Sequence, residues 1–229
     1  MATRRQYLLP APVLLASYPR SGSTWLRFIF ANIHFNDVEH DIDSVNRYFP
    51  GLDGDEGIAA AEQPIRFLKT HMKLHASNVI FLHRHIGDVL TSEWWYKKKF
   101  HDDSRSLHDY LVATGYGEEW REHVDWYYPA RWNLAYQDIN NMDALASLLP
   151  FTDRAWIDSA LHASSFQHLQ KVEEKGFGIY PAGNPEIKFF RSGKSDQWHD
   201  WEQADRTELL WRNRKQLTLL GYGTEDKPS

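Results

Sequence analysis

Residues 13–33, VLLASYPRSGSTWLRFIFANI, decide how the chain folds. The first five, Val13–Ser17, are a short apolar run of the kind found in a strand buried on both faces. A turn, YPRSGS, follows over 18–23, and apolar side chains at helical spacing then predict a helix over Thr24–Ile33. Strand, turn and helix in this succession are the opening of an α/β nucleotide-binding unit.

Further strands and helices continue this alternation along the chain. The strand candidates are Ile65–Thr70, Val79–His83 and Asn133–Gln137. The predicted helices are Asp88–Phe100, Glu118–Trp132, Asn141–Leu149, Asp153–His162, Ser165–Glu174 and Arg206–Leu220. The sequence therefore predicts a single α/β domain over residues 1–229, in which helices flank a central parallel sheet.

The composition excludes several classes of function. The 229 residues carry a formal net charge of −5, so we expect neither nucleic acid nor a membrane surface as a partner. An anionic ligand must then be held by a local cluster of donors. Because the chain has no cysteine, disulfides, thiolate metal sites and cysteine nucleophiles are excluded.

The N-terminal apolar run over 7–16 loosely resembles a signal peptide, with Arg4 and Arg5 before it. Two prolines interrupt the run, and its second half leads into the first predicted strand. No apolar stretch of the sequence approaches the ~18–20 residues that a membrane span needs. We therefore expect a cytoplasmic protein.

The turn within Ser17–Thr24 has the length of a P-loop, G-x-x-x-x-G-K-[ST], but only part of its chemistry. Gly22 and Thr24 fall in place, whereas serines replace the first glycine and the lysine. Main-chain and hydroxyl donors of Ser21–Thr24 predict a phosphate cradle at a helix N-terminus. Arg20 adds a guanidinium suited to forked contacts with phosphate or sulfate. An ordinary strand-to-helix turn is the alternative.

Four motifs together resemble those of a known family, the sulfotransferases that use 3′-phosphoadenosine-5′-phosphosulfate (PAPS). ASYPRSGSTW (16–25) resembles their 5′-phosphosulfate loop, and KTH (69–71) matches a family triplet. HRHIGDVLTS (83–92) matches the 3′-phosphate motif R-N-P-x-D-V-x-x-S in the spacing of its arginine and serine. RSG (191–193), followed by Trp198, resembles the C-terminal loop R-K-G-x-x-G-x-W.

Two weaker similarities lie between these motifs. YQD (136–138) resembles the family's YED element, and SSF (164–166) resembles TSF. The resemblance thus runs from about Leu14 to Trp201. It implies a parallel α/β sheet related to that of the P-loop kinases, and transfer of a sulfonyl group from PAPS to an acceptor hydroxyl or amine.

The resemblance implies three catalytic side chains. His71 is the candidate general base, because an imidazole can take up a proton near neutral pH. Lys69 is implied to place its ammonium near the transferring group, and Arg20 stands where the family's loop has lysine. The alternative for His71 is a packing or capping histidine at a strand end, and the alternative for Lys69 is a solvated charge.

The resemblance also implies the donor-binding residues. Arg84 and Ser92 are implied to bind the 3′-phosphate, with an ion pair to Asp88 as the alternative for the arginine. The aromatic side chains among the donor-binding residues are implied to stack on the two sides of the adenine. The alternative is that they pack in the core. The complete set is Arg20, Ser21, Gly22, Ser23, Thr24, Trp25, Arg84, Ser92, Tyr136, Ser164, Phe166, Arg191, Ser192, Gly193 and Lys194.

Three other interpretations are weaker. A small P-loop kinase would need the missing Walker lysine, and a non-catalytic nucleotide-binding module has no use for a proton acceptor at residue 71. His71 and His75 have the spacing of a zinc pair on a helix, but the preceding segment is predicted as strand, so no metal is expected.

The sequence does not identify the acceptor. A small molecule or a glycan is expected, bound by the segments 36–64, 101–117 and 175–185, which are predicted to be irregular. The oligomeric state is open, since the family's short dimerisation segment has no clear match here.

Overall fold

A four-stranded parallel sheet forms the centre of the computed structural model, which describes residues 13–34, 40–52, 67–149, 152–175 and 183–225. Its strands are β1 (Val13–Ser17), β2 (Phe67–Thr70), β3 (Val79–His83) and β4 (Trp132–Ala135), in the order β2-β1-β3-β4. The predicted fold class, a parallel α/β sheet flanked by helices, is confirmed. Ile65 and Arg66, the start of the second predicted strand, lie outside the described residues.

Nine α-helices lie within the described residues. They are α1 (Ser23–His34), α2 (Ile42–Tyr48), α3 (Ile86–Phe100), α4 (Leu107–Ala113), α5 (Glu118–Tyr127), α6 (Met142–Leu148), α7 (Arg154–Ala163), α8 (Phe166–Glu174) and α9 (Gln203–Leu219). Two short 3₁₀ turns, Tyr136–Asp138 and Gln197–Asp200, complete the regular structure of this part of the chain.

Two of these helices lie in segments that were predicted to be irregular. Helix α2 begins with a capping box, in which Asp41 and Ser44 exchange side-chain and main-chain hydrogen bonds. Helix α4 begins at a serine cap, where the Ser106 side chain accepts from the Asp109 N–H. Both helices have seven residues, which is too few for their apolar periodicity to be recognised in the sequence.

Helix α5 is shorter than predicted. It ends at Tyr127, and Trp132 is already the first residue of β4, although the predicted helix included it. The cause is Pro129, since a residue that precedes proline is disfavoured in helical conformation. Tyr128 is accordingly extended, with φ −91° and ψ 133°.

The sheet is buried on both faces. Leu15 of β1 belongs to one hydrophobic cluster, shared with helix α1, while its neighbours Leu14 and Ala16 belong to a second cluster shared with α3 and α5. This alternation follows from the pleat of a strand, in which successive side chains point to opposite faces. All five residues of β1 are buried, as its continuous apolar run predicts.

The parallel register brings the carboxyl ends of all four strands to one edge of the sheet. Ala16 lies beside Thr70, Ser17 beside Leu82, and His83 beside Ala135. The segments that leave the sheet at this edge therefore meet in space, which is where parallel α/β proteins bind their ligands.

Strand β2 is at the edge of the described sheet, but its outer side is not bare. The Leu52 N–H donates to the Lys69 carbonyl at 2.7 Å, and the Lys69 N–H donates to the Pro50 carbonyl at 3.0 Å. The short segment 50–52 thus hydrogen-bonds along the strand that carries Lys69. No helix among the described residues is both long enough and apolar enough to span a bilayer.

Candidate active site

A cavity of about 450 Å³ opens at the carboxyl edge of the sheet. Most of the predicted site residues line it, and three do not. The predicted residues that line the cavity are Arg20, Gly22, Ser23, Thr24, Trp25, Lys69, His71, Arg84, Ser92, Tyr136, Phe166, Arg191, Ser192 and Gly193. Residues that are up to 173 positions apart, from Arg20 to Gly193, therefore face one volume.

The turn between β1 and α1 forms the floor of this cavity. Gly22 has a φ of +99°, and a Cβ added there would lie 2.7 Å from the Tyr136 ring, so the position requires glycine. Arg20 also has a positive φ, 67°, which is unusual for a residue with a side chain. The buried hydroxyl of Ser21 has no hydrogen-bond partner among the described residues. This turn has the tight backbone of a phosphate cradle.

The three predicted arginines, Arg20, Arg84 and Arg191, line the cavity, and a fourth arginine, Arg27, lines it as well. Arg84 donates to the Arg20 carbonyl at 3.3 Å and to the Lys194 carbonyl at 2.9 Å, while its buried Nε has no partner among the described residues. Burial and the neighbouring charge of Arg84 lower the pKa of Arg191. Like charges gathered in a partly buried volume repel one another, so the arrangement favours an anionic ligand.

Ser92 lies on helix α3, and its hydroxyl contacts Arg20, another residue predicted to bind the donor. The Arg20 Nε donates to the Ser92 hydroxyl at 3.2 Å. Helix α3 begins at Ile86, two residues before the predicted start at Asp88, because the His85 ring accepts a hydrogen bond from the Gly87 N–H. An imidazole here caps the helix in the way that a side-chain oxygen usually does.

The segment 191–197 closes one side of the cavity and is attached to α3 through Asp88. The two carboxylate oxygens of Asp88 accept from the N–H groups of Asp196 and Gln197, each at 2.9 Å. Asp88 thus binds the main chain of segment 191–197, and Arg84 donates to main-chain carbonyls. These contacts take the place of the ion pair between Arg84 and Asp88 that was considered as an alternative. Burial raises the pKa of Asp88, and the charge of Arg84 opposes that shift.

Two residues of this segment have left-handed backbone conformations. Gly193 has a φ of +64°, and a Cβ there would lie 2.6 Å from the Phe166 ring. Asp196, which stands where the resembling loop has its second glycine, also adopts a φ of 65°. Aspartate tolerates this conformation better than most residues with a side chain, so the loop keeps a turn usually made by glycine.

Lys69 and His71 are two positions apart at the end of β2, and both line the cavity. The His71 Nδ1 lies 2.6 Å from the Ser17 carbonyl oxygen. A carbonyl only accepts hydrogen bonds, so Nδ1 carries the proton and the lone pair of the neutral ring is on Nε2. Strand β1 therefore sets the tautomer of the histidine on its neighbour β2.

Three aromatic side chains form another wall. The rings of Trp25 and Tyr136 are 5.8 Å apart, and those of Trp25 and Phe166 are 6.3 Å apart, both in edge-to-face contact. The Arg84 guanidinium lies 3.9 Å from the Tyr136 ring centroid. The Trp25 indole donates to the Ser164 carbonyl at 2.9 Å, which fixes the orientation of its ring. The wall offers apolar surface next to the arginines, as a purine would require.

Three predicted site residues do not line the cavity. Ser21 and Ser164 are fully buried, and the Ser164 hydroxyl accepts instead from Asn32 on α1. Lys194 is exposed, and its carbonyl, not its ammonium, contacts Arg84. The roles of these residues in binding remain predictions, with Ser164 placed to hold Trp25 and Lys194 placed to hold Arg84.

The sequence analysis did not assign several residues that line the cavity. Glu93, Tyr96 and Lys97 lie on α3 next to Ser92, and Phe189 and Phe190 precede Arg191. A signal for the helical set existed, because residues three and four positions apart share one helix face. Tyr96 could have been predicted from Ser92, because it lies four residues later and so shares the same helix face.

A parallel α/β sheet with a phosphate-type turn and convergent arginines at its carboxyl edge defines a protein that binds an anionic nucleotide. The sulfotransferase domain family matches residues 10–208 of the chain. The chain therefore belongs to the sulfotransferase family, and the predicted family and enzyme class are confirmed.

Curated relatives agree with this assignment at low identity. Cytosolic sulfotransferase 15 of Arabidopsis thaliana is 26% identical, over 86% of this chain and 69% of its own length. Sulfotransferase 1A1 of Rattus norvegicus is also 26% identical, over 82% of this chain and 78% of its own length.

Solved structures share the fold. Retinol dehydratase in a complex with retinol and PAP has a TM-score of 0.72 at 18% identity, covering 92% of this chain and 83% of its own. A mouse sulfotransferase complexed with PAP has a TM-score of 0.62 at 14% identity, covering 91% and 87%.

Proposed function

We propose that this sulfotransferase moves the sulfonyl group of PAPS to a hydroxyl or amine of a small-molecule acceptor, with His71 as general base. One observation carries the proposal. The same cavity holds a histidine with a fixed tautomer, a lysine two residues before it, and three convergent arginines. PAPS is the co-substrate of the family, and its reaction product PAP, adenosine 3′,5′-bisphosphate, is bound in the solved structures similar to this chain.

The arginines and the turn suit the two anionic ends of the donor. Arg20 and the N–H groups at the start of α1 would hold the 5′-phosphosulfate, and Arg84, Ser92 and Arg191 would hold the 3′-phosphate. The unpartnered Nε of Arg84 supports this fit, because a buried polar group without a partner is costly in a folded protein. Bound PAPS supplies an electrophilic sulfonyl group and a phosphate leaving group.

His71 and Lys69 suit the chemistry next to that leaving group. The Nε2 lone pair of His71 would take the proton of the acceptor as its oxygen or nitrogen attacks. The Lys69 ammonium, anchored on the same strand, would stabilise the negative charge that develops on the leaving oxygen. These roles need only positioned side chains of the chain itself.

A small-molecule acceptor fits the neighbours, since one solved retinol dehydratase structure holds retinol and another holds androsterone. A cytoplasmic location is proposed with it, in keeping with relatives that are named cytosolic sulfotransferases. Nucleotide preference distinguishes this function from that of the P-loop kinase considered from the sequence.

Ligand-induced stabilisation tests the donor. PAP at about 100 times its Kd is expected to raise the free energy of unfolding by about 2.7 kcal/mol and the Tm by about 5–10 °C. ATP with or without Mg²⁺ is expected to shift the Tm much less, because no lysine stands in the turn to reach a γ-phosphate. Thermal denaturation measures both, and a larger shift with ATP·Mg²⁺ would contradict the proposal.

Replacement of the base tests the mechanism. His71→Ala is expected to lower kcat by about 10²–10⁴, the usual contribution of a positioned general base, and to leave the Tm shift by PAP intact. His75→Ala is the matched control, since that ring stacks on Trp126 at 4.4 Å and does not line the cavity. Unchanged turnover in His71→Ala would place the base elsewhere.

A further inference from the structure

Glu93 is the one acidic side chain among the described residues that line the cavity. It lies on helix α3, directly after Ser92 and one turn before Lys97. The phosphate and sulfate groups of the donor have no use for a carboxylate, because they are themselves anions. An acid in a cavity built for anions requires a separate reason.

The surroundings of Glu93 hold it in place without neutralising it. The Tyr110 hydroxyl lies near it and lowers its pKa, and Tyr110 is fully buried. Lys97 and Arg20 act on Glu93 only electrostatically, and within the described ranges no cationic side chain lies at salt-bridge distance from it. Burial raises the pKa of Glu93, and the charges of Lys97 and Arg20 oppose that shift.

The charge of Glu93 sets it apart from the side chains proposed to bind the donor. The arginines and Lys69 are matched in charge by the phosphates and sulfate of a bound donor. The helix α3 wall that carries Glu93 also carries the Tyr96 ring, which gives apolar contact beside the acid. An aromatic ring next to a carboxylate recognises a molecule with an apolar body and a hydrogen-donating, positively charged group.

We propose that Glu93 is an acceptor-specificity residue that binds a protonated amine of the acceptor while His71 faces its nucleophilic hydroxyl. The inference rests on the proposed function. An ammonium beside the carboxylate would form a charge-assisted hydrogen bond in a partly buried site, where such a bond is stronger than at the surface. The acceptor class is thus the hydroxylated amines.

Three phenols of similar size test this assignment: tyramine, 4-propylphenol and 3-(4-hydroxyphenyl)propionate. They differ in carrying a cationic, neutral or anionic group at the far end of the side chain. Kd values for the complex of the enzyme with PAP, together with kcat/KM with PAPS, are the two readouts. We expect tyramine to be favoured about tenfold or more over 4-propylphenol, the range of a hydrogen bond to a charged group.

Glu93→Gln keeps the size and polarity of the side chain and removes the charge. It is expected to abolish the preference for tyramine, mainly through Kd and KM, with the Tm shift by PAP retained. Glu119→Gln is the matched control, because Glu119 acts electrostatically on Glu93 but lies outside the cavity lining. The control is expected to keep the preference.

Each contrary result has a definite meaning. Equal or weaker binding of tyramine relative to 4-propylphenol, or a preference that survives in Glu93→Gln, overturns the inference. A preference for the propionate overturns it in favour of Lys97 as the specificity residue. If PAP does not stabilise the enzyme at all, the proposed function itself fails, which the equilibrium readout distinguishes from failure at Glu93.

Discussion

Arg20 combines a strained backbone with the contacts of its side chain. Its φ of 67° lies in the left-handed region, which costs a residue with a Cβ roughly 1–2 kcal/mol. The guanidinium packs over Tyr96 and Phe189, at 4.8 Å and 4.6 Å from their ring centroids, and donates to Ser92. The chain accepts an unfavourable conformation here because it aims the charge into the cavity.

A pair of variants separates the strain from the charge. Arg20→Gly and Arg20→Ala remove the same guanidinium, but only glycine adopts the conformation freely. We expect the glycine variant to exceed the alanine variant in free energy of unfolding by about 1 kcal/mol, measured by urea denaturation. Both are expected to lose the same affinity for PAP. Equal stability of the two variants would mean that the turn relaxes when the arginine is removed.

At this scale the sequence predicted the residues that strand ends and turns position directly. Arg84 and His71 each directly follow a strand, so the carboxyl edge of the sheet fixes where they lie. Glu93 was not predicted, because which face of α3 meets the cavity depends on packing against distant elements. The left-handed conformation of Asp196 was equally hidden, since aspartate is compatible with many conformations.

Helix α3 connects segment 191–197 to the sheet. Its first turn holds segment 191–197 through the Asp88 carboxylate, and its middle carries Ser92 and Glu93. A displacement of this helix would move contacts to the donor and contacts to the acceptor together. The helix therefore couples the two halves of the cavity.

Replacement of Asp88 tests that coupling. Asp88→Asn leaves one acceptor oxygen where two N–H groups donate, so one buried hydrogen bond is lost and the loop loosens. We expect the free energy of unfolding to fall by about 1–3 kcal/mol. We also expect PAP to bind about tenfold more weakly, as measured by titration calorimetry. Asp143→Asn on the exposed face of α6 is the control, and PAP binding equal in both variants would exclude the coupling.

Element by element, the sequence predicted long or buried segments better than short ones. β1 and β3 were found with their exact bounds because both are continuous apolar runs between polar turns. Helices α2 and α4 were not found, since seven residues give two turns and their caps, Asp41 and Ser106, also occur in loops.

For the whole molecule, the two buried histidines that flank Arg84 contribute to the response to acid. Burial lowers the pKa of His83 to about 4, and burial with the charges of His199 and Arg84 lowers that of His85 to about 3. Below about pH 6.5 the unfolded chain takes up protons that the folded chain excludes. The free energy of unfolding therefore falls as the pH falls from 6.5 towards 4.

The contribution of one histidine is measurable. His85→Asn keeps a good helix cap and removes the titrating group. We expect its free energy of unfolding to fall less steeply between pH 6 and pH 4, by up to about 1.4 kcal/mol per pH unit, in urea titrations at a series of pH values. Parallel slopes for the variant and the parent chain would show that other groups cause the acid sensitivity.

The cover on β2 has a consequence for the behaviour of the molecule in concentrated solution. A parallel sheet ends in a row of main-chain groups that a second chain can adopt as a template, and such pairing seeds insoluble assemblies. Residues 50–52 fill that row at Lys69, so the strand that carries this lysine is also shielded from strand exchange. Changes to this short segment would therefore affect the tendency of the protein to aggregate as well as its turnover.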